Sequence, residues 1–80
     1  MAWSELKDAQ QEGKQEPIQV RECLDQTPAR FCLFQSDKIL TLWTLYDSQT
    51  GSQHFLYGED WTEAQEKADK RMARVLEKGA

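Results

Sequence analysis

Cys23, Cys32 and His54 are the only thiols and the only imidazole in these 80 residues, so any nucleophilic or soft-metal chemistry must start from them. A nucleophilic pair needs a thiol within reach of an imidazole base. No local motif joins Cys32 to His54, so such a pair would arise only through the way the chain folds. A metal site on Cys23, Cys32 and His54 is no better supported. Eight residues separate the cysteines, against the two to four of a zinc knuckle. The carboxylates are plentiful but scattered. The glycines stand singly, so no phosphate-cradling loop is present. Asparagine is absent, which removes any N-glycosylation acceptor. This inventory predicts a non-enzymatic protein without metal or cofactor.

Two cysteines are too few for a disulfide framework. The N-terminus has no basic segment followed by an apolar one, so a reducing cytoplasm and two thiols are expected. No apolar run approaches the length of a membrane span. Cys23 and Cys32 are expected on neighbouring strands, which leaves a disulfide between them open.

Acids outnumber bases fourteen to ten, for a net charge of −4. Between Lys38 and Lys67 there is no Lys or Arg, while Asp47, Glu59, Asp60, Glu63 and Glu66 all lie there. That middle region is a poor phosphate ligand. Basic residues gather later, as Lys67, Lys70, Arg71, Arg74 and Lys78. At helical spacing these five form one stripe that could meet phosphate or an acidic partner. Acids at the helix start and bases towards its end are also the order that the helix dipole favours. Glu63–Lys67 and Glu66–Lys70 are (i, i+4) pairs in the favourable orientation, so a solvated helix face explains the same stripe.

The elements that position these groups are legible from periodicity. Residues 1–16 form a polar segment, expected as a tail or as a short helix over about 5–12 capped by Ser4, with Trp3 and Leu6 able to dock. Pro17 then sets an extended path. From Ile18 the apolar period becomes two. Strands are expected at about 18–24, 30–35, 39–46 and 53–57, separated by turns at Pro28, Ser36–Lys38 and Gly51. Thr62 with Gln65, or Asp60 with Glu63, can cap a helix over about 61–77. Its residues Trp61, Ala64, Ala68, Met72 and Val75 fall within an arc of about 80°. The fold class is therefore α+β: an antiparallel β-meander of three to four strands packed by a C-terminal helix, with 17–80 as the single domain.

A simple hairpin over 39–57 pairs Tyr46 with Gln53, Leu45 with His54 and Trp43 with Leu56. One face then receives Ile39, Thr41, Trp43, Leu45, His54 and Leu56. The other receives Leu40, Leu42, Thr44, Tyr46, Gln53, Phe55 and Tyr57. Both are substantially apolar, whereas a sheet covered on one side normally alternates apolar with polar. The helix, with its small alanines, suits the face with Trp43. Thr44, Tyr46, Gln53, Phe55 and Tyr57 are left as the expected partner-binding residues. They would meet another protein, a second copy of the chain, or the N-terminal segment through Trp3 and Leu6.

In outline, residues 30–76 resemble the arm-binding domains of tyrosine integrases and other small DNA-reading modules. That resemblance implies DNA binding through a basic sheet, and residues 39–66 have no base. The expectation is a small regulator or inhibitor that occupies a protein surface. The alternatives are a homodimeric structural protein and a nucleic-acid-binding module that uses the basic stripe.

Overall fold

Five strands and one helix follow one another without a crossover: β1 (Lys7–Ala9), β2 (Ile18–Glu22), β3 (Phe31–Gln35), β4 (Leu42–Asp47), β5 (Ser52–Tyr57) and α1 (Trp61–Lys78). The computed structural model describes residues 2–9, 17–26 and 28–78. All neighbouring strands pair antiparallel in sequence order, giving the meander and α+β class expected from periodicity, with one strand more. β4 is apolar and β-branched or aromatic through most of its length, a composition that suits a pleated surface buried on both sides. The β4–β5 register is that of the simple hairpin, with Trp43 opposite Leu56, Leu45 opposite His54 and Tyr46 opposite Gln53. Gly51 closes the loop at φ 76°, a conformation in which a side chain would be strained.

The core lies between the sheet and α1. Cys23, Phe31, Leu33, Trp43, Leu45 and Leu56 point to the helix, which answers with Ala64, Ala68 and Met72. The alanines bring the helix backbone close to the sheet. The Trp43 indole N–H donates to the Gly58 carbonyl over 2.8 Å, and its ring meets Trp61 edge to face at 4.7 Å between centroids. Gly58 is needed there, because a Cβ on it would stand 3.0 Å from the Ala64 nitrogen. Asp60 caps the helix by accepting the Glu63 N–H over 2.9 Å, which selects the earlier of the two capping choices.

Three boundaries differ from expectation. The helix over about 5–12 does not form in its described part, where Lys7–Ala9 instead adds an edge strand to β2; residues 10–12 lie outside the described residues. A free helix of that length is marginal, whereas strand pairing satisfies the same backbone groups against an existing partner. β4 starts at Leu42, not at residue 39. The Ser36 hydroxyl accepts the N–H groups of Lys38 and Ile39, and Leu42 N–H bonds the Ile39 carbonyl, so a local turn holds Ile39 and Leu40 out of the ladder and exposed. β2 ends at Glu22, and Leu24 lies exposed in the following turn.

Candidate functional site

The face opposite α1 is built by strand alternation and register. Val20, Phe34, Thr44 and Phe55 form one cross-strand row, since each is the antiparallel partner of the next. Glu22, Cys32, Tyr46 and Gln53 form a second, and Leu42 with Tyr57 belongs to a third. The centre is buried: Val20 is 6% exposed and Thr44 7%. Towards β5 the face opens, with Phe55 57% exposed and Tyr57 63%. A shallow hollow of about 200 Å³ lies between Ile18, Phe34, Leu42, Thr44 and Phe55. Among the described residues no element crosses this face.

Thr44, Tyr46, Gln53, Phe55 and Tyr57 thus share one side of the sheet. Val20, Cys32 and Phe34 join them there, and reasoning from the hairpin alone missed all three. The signal was present in Phe31-Cys32-Leu33-Phe34, which has no polar alternation and so supplies apolar groups to both sides.

Trp3 does not cover this surface. It bridges to Cys23, packs against the core on the helix side, and donates its indole N–H to the Asp69 carboxylate over 3.1 Å. Leu6 remains 41% exposed. At the margin, Lys7 pairs with Glu22 at 2.7 Å.

The thiols and the imidazole are kept apart. Cys23 lies fully buried under the helix, while Cys32, opposite Tyr46, lies on the other face. A pleated sheet separates them, so they cannot form a disulfide without rebuilding the register. Both remain free thiols. Burial pushes the Cys32 thiol up to about 11, and the Glu22 carboxylate adds to the shift. Burial raises Cys23 as well. His54 sits opposite Leu45 on the helix side. No Cys32–His54 pair forms, and among the described residues no group of three or more His, Cys, Asp or Glu could hold a metal ion.

The basic stripe divides. Lys67, Lys70, Arg71 and Arg74 border the outer side of β5, where with Phe55 and Leu56 they line a groove of about 270 Å³. Lys78 instead lies by Arg30, Asp47 and His54 at the other end of the sheet. Lys67 donates to the Tyr57 carbonyl and pairs with Glu63 at 3.4 Å. The expected Glu66–Lys70 pair is not formed, and among the described residues Lys70, Arg71 and Arg74 make no ion pair. Among the described residues no helix is long and apolar enough to cross a membrane. Comparison with protein-family models, curated proteins and solved structures finds no match to this chain.

Proposed function

We propose that this chain is a non-enzymatic protein-binding module, a regulator or inhibitor that lays its open sheet face on another protein. The observation that carries the reading is the exposure of Phe55 and Tyr57 beside buried Val20 and Thr44 and half-buried Phe34. Aromatic side chains with polar groups between them are the composition of interface centres. Covering each of these two rings would contribute about 1 to 2 kcal/mol from area alone. The raised pKa of the Cys32 thiol and its place on the sheet face opposite His54 favour binding over catalysis.

A photo-crosslinking phenylalanine analogue at position 55, introduced in the cell that makes the protein, tests the reading. A discrete adduct with a different protein, absent when the analogue replaces exposed Thr62 on α1, supports it. An adduct of twice the chain mass would assign the face to a second copy. No adduct at position 55 would sink the proposal.

A further inference from the structure

Among the described residues β5 ends the sheet with an unpaired side, and the charged residues that line the groove beside it, Lys67, Lys70, Arg71 and Arg74, are all basic. The Gly58 N–H donates to the Thr41 carbonyl, which sets the phase of the ladder. In antiparallel alternation Ser52, His54 and Leu56 then turn their backbone groups towards β4. Gln53, Phe55 and Tyr57 turn theirs to the free edge. The Lys67 ammonium already takes the Tyr57 carbonyl. Both backbone groups of Gln53 and Phe55, and the Tyr57 N–H, remain open to a partner among the described residues. All three residues are exposed. The opposite edge, β1, is a three-residue strand with Lys7 on it, a form that discourages pairing.

We infer that β5 accepts an extended peptide segment of alternating acidic and apolar residues as a sixth strand. Alternation in the incoming strand places successive side chains on opposite faces. On the helix side they meet Lys70, Arg71 and Arg74, which make no ion pair among the described residues, so that side calls for carboxylates. On the other side they extend the apolar face beyond Phe55 and Tyr57, so that side calls for apolar groups. This inference rests on the protein-binding reading and names the chemistry of the partner.

Two other occupants fit less well. A second copy pairing β5 to β5 about a two-fold axis would keep both helices on one side of the joined sheet. It would set two basic stripes against each other, a like-charge contact. A nucleic acid would satisfy the cations, but phosphate oxygens only accept hydrogen bonds and would leave the Gln53 and Phe55 carbonyls unmet.

The test is a titration of the isotope-labelled chain with a blocked peptide of alternating glutamate and valine, followed by amide shifts and hydrogen exchange. The expected result is protection of the Gln53, Phe55 and Tyr57 amides. Gln53→Pro removes an outward N–H and spares the β4 ladder; it should weaken binding at least about tenfold, as should K70E/R74E. A peptide with lysine for glutamate should not bind. Binding that K70E/R74E abolishes but that leaves the three amides unprotected would overturn the inference, as undirected charge attraction. Tighter binding of a thymidine oligonucleotide, or edge amides already protected in a species of doubled mass, would overturn it in favour of nucleic acid or a second copy. Exchange on the unmodified chain decides the matter even if Gln53→Pro fails to fold. A heterologous crosslink at position 55 with no protection by the peptide would leave the face reading standing and remove the edge.

Discussion

Arg30 holds Asp47 with both arms of its guanidinium, Nε donating to Oδ1 and Nη2 to Oδ2, each over 2.8 Å. The same carboxylate accepts the Gln49 N–H over 3.0 Å. The N–H and hydroxyl of Ser48 both donate to the Arg30 carbonyl. The β2–β3 connection and the β4–β5 loop are therefore clasped at one end of the sheet. Asp47 is 1% exposed, so the fork is what makes its burial tolerable.

This clasp predicts an acid sensitivity. Hydrogen bonds from Arg30 lower the Asp47 carboxyl from 3.8 to about 2, against the opposing effect of burial. The unfolded chain then binds the proton more readily, so the contribution is complete above about pH 4 and is lost as pH falls through 2. With allowance for solvent screening it amounts to about 1 kcal/mol. Urea unfolding between pH 5 and pH 2 should show that loss, and Asp47→Asn should flatten it.

Breaking the fork from the other side leaves a buried carboxylate unpaired. Arg30→Ala should cost about 2 to 3 kcal/mol at neutral pH. Arg30→Lys should recover only part, because an ammonium cannot make the two parallel bonds. Denaturant midpoints of the two variants check both statements.

Two glycines should respond for different reasons. Gly58→Ala pushes a methyl against the Ala64 backbone at 3.0–3.2 Å and should cost about 1 to 3 kcal/mol through overpacking. Gly51→Ala meets nothing within 4 Å. It should still cost about 1 kcal/mol, because its φ of 76° opposes a Cβ. Thermal melts rank them.

The two sides of the sheet should differ under truncation. Leu45→Ala, beneath α1, should cost about 2 to 5 kcal/mol. Phe55→Ser and Tyr57→Ser, on the exposed side, should stay within about 0.5 kcal/mol of the parent. A large loss from either serine variant, measured on the monomer, would make that surface part of the core.

Cys32 should be a sluggish thiol. With its pKa near 11, the thiolate fraction at neutral pH is far below that of an ordinary cysteine, and labelling should trail a free-cysteine standard by at least about tenfold. Oxidant should leave the melting temperature unchanged, since Cys23 and Cys32 lie on opposite faces.

The residues of the expected contact surface were legible because side-chain alternation is a property of neighbours along the chain. Tyr46 opposite Gln53 and Thr44 opposite Phe55 follow from one loop length and a glycine able to take positive φ. Phe34 and Val20 were harder to place, since their membership depends on how β3 meets β4 and β2 meets β3. The N-terminal strand was misread because a polar, Gln-rich segment has weak local preference and takes the structure that its neighbour offers.

Sequence alone therefore determined the class of fold, the hairpin register, the amphipathic helix and the excess of apolar groups on both sides of the sheet. Each of these is written in spacings of two to four residues. Tertiary structure alone decided where Trp3 goes. Trp3 pairs with Cys23 and Lys7 with Val20, so the N-terminal chain carries one residue more than β2 between the two pairs. Unbroken alternation would have put Trp3 on the open face with Lys7, and the extra residue turns it to the helix side. The Arg30–Asp47 fork, the separation of the cysteines and the alignment of the basic stripe with the β5 edge were settled at the same level. All depend on registers between segments distant in the chain, which only the packed whole selects.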